Sequence, residues 1–122
     1  IDRGALDDTV LEEAVRHDNQ IQTGHNVRVG AHTAMAGCSA VAGSARIGRY
    51  CLIGGAAGVL GHLEICDRVV ITAMSLVTSS ITEPGEYSSG TPLTDNRTCR
   101  KNAARSKQLD TLARRVLAAD KE

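Results

Sequence analysis

The stretch Val41-Ala42-Gly43-Ser44-Ala45-Arg46-Ile47-Gly48-Arg49-Tyr50-Cys51-Leu52-Ile53-Gly54-Gly55-Ala56-Ala57-Gly58-Val59 repeats its aliphatic residues at an interval of six. Val41, Ile47, Ile53 and Val59 form one column, and Ala45, Cys51 and Ala57, each four residues further on, form a second. Extended outward, the first column reads Leu11, His17, Thr23, Val29, Met35, Val41, Ile47, Ile53, Val59, Ile65, Ile71 and Val77. The second reads Val15, Ile21, Val27, Thr33, Ser39, Ala45, Cys51, Ala57, Leu63, Val69, Ser75 and Ile81. Two columns of each repeat therefore point inward. A period of six matches neither the 3.6 of a helix nor a plain two-residue alternation, and it predicts short strands joined by corners. The position after the first column is mostly small (Gly24, Gly30, Ala36, Ala42, Gly48, Gly54), as a tight corner would require. His17 and Thr23 interrupt the first column, either as part of an imperfect end coil or for a functional reason.

Composition agrees with a narrow interior. Phe and Trp are absent from the 122 residues and Tyr50 and Tyr87 are the only aromatics, so the 42% of apolar residues must build an aliphatic core. Fourteen Lys+Arg balance fourteen Asp+Glu, which excludes a surface given over to nucleic acid or an anionic membrane. No apolar run is long enough to span a bilayer, and Ile1-Asp2-Arg3-Gly4 lacks the features of a signal peptide, so a cytoplasmic protein is expected. Cys38, Cys51, Cys66 and Cys99 show no C-x-x-C spacing and read as small buried or half-buried residues rather than a disulfide framework.

The repeat region covers residues 1–81, and its first ten read as the interior of something longer. Residues 82–97 hold both prolines and many turn residues, and read as a loop. Residues 98–122 read as a helix with Leu109, Leu112, Ala113, Val116 and Leu117 on one stripe.

The hexad pattern resembles that of left-handed parallel β-helices, which stack three hexads per coil. The expected fold is therefore an all-β left-handed parallel β-helix with a C-terminal α-helical extension. Three stretches narrow the resemblance: Ile1-Asp2-Arg3-Gly4-Ala5-Leu6-Asp7-Asp8-Thr9; Asp18-Asn19-Gln20 with Gly24-His25-Asn26-Val27; and Ile81-Thr82-Glu83-Pro84-Gly85 with Tyr87-Ser88-Ser89-Gly90. Together they resemble the UDP-3-O-acylglucosamine N-acyltransferases of lipid A assembly across essentially the whole chain. The further N-terminal domain that holds uridine in that family has no counterpart in these residues.

The resemblance implies transfer of a 3-hydroxyacyl group from an acyl carrier protein thioester to the 2-amino group of a UDP-3-O-acylglucosamine, with no metal or redox cofactor. Such a reaction needs a base working near neutrality and a donor for the oxyanion. By resemblance His25 is that base and His62 a second active-site histidine. With three hexads per coil, His25, Gly43 and Gly61 share one corner column, and His62 follows at about 10 Å from His25. Gly43 is either the oxyanion donor or a plain corner glycine. Asp18, Asn19 and Gln22 either hold the sugar or form the usual polar exterior. His17 and His32 read as solvated, and Met74 and Leu76 as core residues with an acyl groove as the other reading. Arg97, Arg100 and Lys101 are the expected docking patch for the acidic carrier protein, and a homotrimer is expected from the apolar faces. The alternatives are the UDP-N-acetylglucosamine O-acyltransferase of the same pathway, a β-helical zinc carbonic anhydrase, and a non-catalytic β-helical module.

Overall fold

The computed structural model describes residues 10–11, 16–17 and 20–120. It divides into two units, Ile1–Gly90 and Thr91–Glu122. In the first unit the repeat becomes a series of very short strands, nearly all of two residues, in three parallel sheets. Sheet 1 contains β1 (Val10–Leu11), β4 (Arg28–Val29), β7 (Arg46–Ile47) and β10 (Glu64–Ile65). Sheet 2 contains β2 (Arg16–His17), β5 (Ala34–Met35), β8 (Leu52–Ile53), β11 (Val69–Ile71) and β13 (Gly85–Tyr87). Sheet 3 contains β3 (Gln22–Thr23), β6 (Ala40–Val41), β9 (Gly58–Val59) and β12 (Leu76–Val77). Register partners such as Arg28 and Arg46, or Gln22 and Ala40, differ by eighteen residues, which is three hexads per coil.

Both columns face inward. Val29, Met35, Val41, Ile47, Ile53, Val59, Ile65, Ile71 and Val77 are buried, as are Ile21, Val27, Ala45, Cys51, Ala57, Val69 and Ile81. β-branched and small side chains suit so thin a core, because they stand stiffly on a pleated surface and leave no gap for a ring. Three of the polar members are satisfied. The Thr33 hydroxyl donates to the Gly48 carbonyl (2.6 Å) and accepts from the Cys51 N–H (3.1 Å), the Ser39 hydroxyl donates to Ala36 (2.7 Å), and Ser75 bonds Thr72 (2.9 Å). Thr23 is the exception: its hydroxyl oxygen is buried without a partner.

The corners differ from the expectation about glycine. Left-handed backbone recurs every sixth residue, at Gln20, Asn26, His32, Cys38, Ser44, Tyr50, Ala56, His62, Arg68 and Met74, with φ between 56° and 63°. None of these ten is glycine and none is β-branched, the class for which that conformation costs most. The small column two residues earlier answers a different demand, close approach between coils. A Cβ on Gly24 would sit 2.5 Å from the Gly43 nitrogen, and one on Gly48 would sit 2.7 Å from the Asp67 nitrogen.

Two further differences concern the end of the chain. The segment read as a loop over 82–97 contains β13, which adds to β11 in parallel register. It is tied down by hydroxyls: the Leu76 N–H donates to Ser89 (2.7 Å), the Ser89 N–H to Ser75 (3.1 Å) and the Thr72 hydroxyl to Ser88 (2.8 Å). In the second unit, the helix expected over 98–122 is two helices, α1 (Asn96–Ser106) and α2 (Leu109–Asp120). Asp95 caps α1, accepting from the Thr98 N–H (3.1 Å) and hydroxyl (2.6 Å), and these bonds hold its carboxyl below the usual carboxylate range. Leu109, Leu112, Val116 and Leu117 are exposed on α2. No helix among the described residues is long and apolar enough to cross a membrane.

Candidate active site

The eighteen-residue coil sorts the corners into three ridges. Ridge 1 carries His25-Asn26, Gly43-Ser44 and Gly61-His62; ridge 2 carries Ala31-His32, Arg49-Tyr50 and Cys66-flanked Asp67-Arg68; ridge 3 carries Gly37-Cys38, Gly55-Ala56 and Ala73-Met74. On ridge 1 the His25 carbonyl accepts from the Ser44 N–H (2.7 Å), and the Gly43 carbonyl accepts from the His62 N–H (3.0 Å). The backbone thus fixes both histidines on one ridge, in adjacent columns, each at an exposed corner.

Gly43 lies between them, and its amide shows what the ridge can do. On ridge 2 the amide at the same place in the hexad, that of Arg49, donates to the Asp67 carboxylate at 2.7 Å. A corner amide of this fold therefore faces outward and takes an anionic oxygen. On ridge 1 the residue standing where Asp67 stands is Gly61, eighteen residues after Gly43, and it has no side chain to offer. Among the described residues no hydrogen-bond partner occupies the Gly43 N–H. Gly61 was legible in the sequence as a member of this column, but its consequence for the Gly43 amide was not.

Gln22 lies on the same rung as His25, exposed on β3, with its backbone N–H bonded to Ser39 (3.1 Å). Asp18 and Asn19 fall outside the described residues, as does the His17 side chain. His32 is not simply solvated: its ring stacks on Tyr50 (centroids 4.9 Å, 13° between planes), and the Arg68 guanidinium lies 4.9 Å from the Tyr50 ring. These three stand eighteen residues apart on ridge 2, so His25 and His32 are on different ridges. No group of three or more His, Cys, Asp or Glu among the described residues could hold a metal ion.

Met74 and Leu76 do not pack in the core. Met74 is 79% exposed at a ridge 3 corner, and Leu76 points outward from sheet 3. Leu76, Ser79, Ser80, Tyr87 and Ser89 line a cavity of about 400 Å³ on the last coil. The regular register ends here: Ile81 pairs with Ile65, sixteen residues earlier instead of eighteen, and the Ser80 hydroxyl accepts from the Glu64 N–H (2.9 Å). In the second unit Arg97, Arg100 and Lys101 are exposed on α1, a helix without an acidic residue in its first turn. Burial pushes the Cys51 thiol up and Cys66 is half-buried, but Cys38 and Cys99 are exposed, Cys38 because it falls on a ridge 3 corner and Cys99 because it lies on α1, so the expected burial holds for two of the four.

Two-residue parallel strands in three sheets, hexad-spaced left-handed corners and an aliphatic core define a hexapeptide-repeat β-helix. The fold is similar to that of serine acetyltransferase isoform 3 from Entamoeba histolytica, with a TM-score of 0.63 at 20% identity over 80% of this chain and 40% of that one, which supports left-handed coiling. No protein-family model matches the chain. In sequence, the chain is similar from end to end to a section of the UDP-3-O-acylglucosamine N-acyltransferases. It is 74% identical over 122 residues to the protein of that name from Xanthomonas campestris pv. campestris (strain 8004) and 56% identical over 122 residues to that from Delftia acidovorans. It is 61% identical over 116 residues to the one from Hahella chejuensis. The chain spans 33 to 36% of the length of these relatives.

Proposed function

We propose that this chain forms the catalytic β-helix of an N-acyltransferase that moves a 3-hydroxyacyl group from acyl carrier protein to the 2-amino group of UDP-3-O-acylglucosamine in lipid A biosynthesis. The observation that carries the reading is identity of up to 74% along the entire chain to proteins named for that reaction. The ridge 1 geometry supports it. The amine attacks the thioester carbonyl carbon while His25 takes its proton; the C–N bond forms, the C–S bond breaks, and the departing thiolate recovers the proton from His25. The Gly43 N–H, left open by Gly61, holds the oxyanion between these steps. His62 binds substrate from the same ridge, and Asp18, Asn19 and Gln22 hold the sugar. The reaction so written draws on no metal or redox cofactor; the acyl group arrives on the phosphopantetheine arm of the carrier.

Arg97, Arg100 and Lys101 on α1 receive the acidic carrier protein, and the assembly is a homotrimer. Exposed apolar residues, Leu52 on sheet 2 and Leu109, Leu112, Val116 and Leu117 on α2, support burial against further copies. The cytoplasm is the site of the reaction, a reading in keeping with four free thiols.

The test is acyl transfer to UDP-3-O-acylglucosamine from acyl carrier donors by the protein that carries this chain, and by its His25→Ala variant. Transfer is expected, with turnover falling on the order of 10²–10⁴ in the variant. Near-normal turnover without His25 would refute its role, and transfer to a sugar hydroxyl instead would refute the reaction.

A further inference from the structure

We infer that Arg28 and Arg46 form a strip that binds the diphosphate of the nucleotide sugar beside the His25 corner. The inference rests on the N-acyl-transfer reading and adds to it an acceptor subsite. Arg28 on β4 and Arg46 on β7 are direct register partners, exposed on the outer face of sheet 1. Parallel neighbours stand about 4.8 Å apart, and like charges placed directly opposite destabilise a sheet. Among the described residues no carboxylate lies within 4.0 Å of either guanidinium. Glu64 is the next residue in register after Arg46, yet the two form no ion pair. Below Arg28 the register partner is Val10, which carries no charge. Two adjacent cations that pair with no carboxylate among the described residues, on a chain of zero net charge, are suited to an anion that spans both rungs.

The position identifies the anion. Arg28 and Arg46 each follow by three residues the corner residues His25 and Gly43, on the same two rungs that hold the proposed base and oxyanion donor. Three strand-like steps cover about 10 Å, a distance that an extended arginine folding back toward the corner shortens further. In the acceptor, the diphosphate hangs on the sugar carbon next to the one that bears the amine. With the amine at His25, the diphosphate is about one sugar ring away, and its two linked phosphates face two adjacent rungs. The other phosphate in the reaction, on the carrier arm, is separated from its thioester by the whole length of pantetheine and falls outside this range. Arginine is the residue for such a ligand, because its planar fork meets phosphate oxygens in pairs.

The experiment compares wild type with an Arg28→Gln, Arg46→Gln double variant and an Arg28→Lys, Arg46→Lys control. Steady-state kinetics with UDP-3-O-acylglucosamine varied should give a KM for that substrate raised about tenfold or more in the Gln variant, partly recovered in the Lys control, with the larger share of the loss in KM. The KM for the acyl carrier donor should not move. A second measurement needs no turnover: inorganic pyrophosphate titrated into the ¹⁵N-labelled chain should shift amides around Arg28 and Arg46 saturably in wild type and not in the Gln variant. An unchanged acceptor KM, a loss confined to the donor, or no saturable pyrophosphate shift in wild type would each overturn the strip. If wild type transfers no acyl group, the reading of the reaction fails, and the pyrophosphate titration still decides whether the two arginines bind a diphosphate.

Discussion

Replacing Thr23 with valine should stabilise the β-helix. Thr23 is 6% exposed and its hydroxyl oxygen has no partner, while its register neighbours on successive coils are Val41, Val59 and Val77. Valine differs by a methyl in place of that hydroxyl, so the substitution completes a valine ladder and removes an unsatisfied polar group. Burying a hydroxyl without a bond costs about 1–3 kcal/mol on mutational scales. The added methyl contributes about 0.8 kcal/mol through burial. The two terms fall on the same atom position and overlap, so the net gain is about 1–3 kcal/mol. For a domain of this size 1 kcal/mol moves Tm by roughly 4–8 °C, so calorimetry at fixed protomer concentration should show a rise of at least about 4 °C. Hydrogen exchange should slow at the Gln22 and Gly24 amides, which bond to Ser39 and Val41 on the next coil. An unchanged or lower Tm would refute the reasoning, since it would mean that the Thr23 hydroxyl is satisfied in solution.

Other expectations test the corners and the ridge. Ala56 is exposed with φ 57°, so Ala56→Val should lower stability by about 1–2 kcal/mol in urea unfolding while Ala56→Gly should not, although neither residue would enter the core. A Cβ on Gly61 would sit 2.9 Å from the Gly43 carbonyl oxygen, so Gly61→Ala serves as the control for that contact, and Gly61→Asp, which adds a carboxylate over the Gly43 amide as Asp67 does over Arg49, should lower kcat by about 10²–10³ beyond the Ala variant with the fold kept by circular dichroism. Undiminished kcat would remove Gly43 from the mechanism. Burial raises the Cys51 pKa, so at pH 8 its thiol should alkylate far more slowly than those of exposed Cys38 and Cys99, as mass spectrometry of the labelled chain would show. The sign for stability follows: a thiol raised in the fold gives a contribution that is complete below its unfolded pKa and is lost as pH climbs through the raised value.

The fold was legible because burial in a thin prism imposes a six-residue period that neither a helix nor a plain strand alternation produces. Val29, Val41, Ile53 and Ile71 could hardly be spaced so otherwise, and the eighteen-residue coil follows once three hexads close a turn. The left-handed corners were hidden, because they fall on ordinary residues such as Tyr50 and Arg68 whose types do not announce a positive φ. β13 was hidden by its neighbours Pro84 and Ser88-Ser89, which mark turns locally; what orders it is the edge of β11 and the hydroxyls of Ser75 and Thr72. The break between α1 and α2 at Lys107-Gln108 has no glycine or proline to signal it. At the candidate site the shared ridge of His25 and His62 was legible from their spacing, while the roles proposed for them come from the resemblance. The role of Gly61 was not, because a residue that acts by lacking a side chain leaves its mark on the amide below it.

That amide shows how one repeating scaffold can build different surfaces without altering its core. At the Arg49 corner the N–H faces outward, and the residue one coil later takes it. On ridge 2 Asp67 takes it, and Tyr50 stacks between His32 and Arg68, so that ridge is closed by its own side chains. On ridge 1 two glycines in succession leave the amide open while the flanking corners carry imidazoles. The backbone is the same on both ridges, with φ 57° at Asn26 and 56° at Tyr50, so the difference in chemistry comes from the side chains alone. Preorganised donors are valuable because they need no rearrangement as charge develops, and a corner held by coil-to-coil hydrogen bonds on both sides is such a donor. The reaction proposed for ridge 1 therefore draws its rigidity from the same bonds that hold the coils together: Ser44 to His25, and His62 to Gly43.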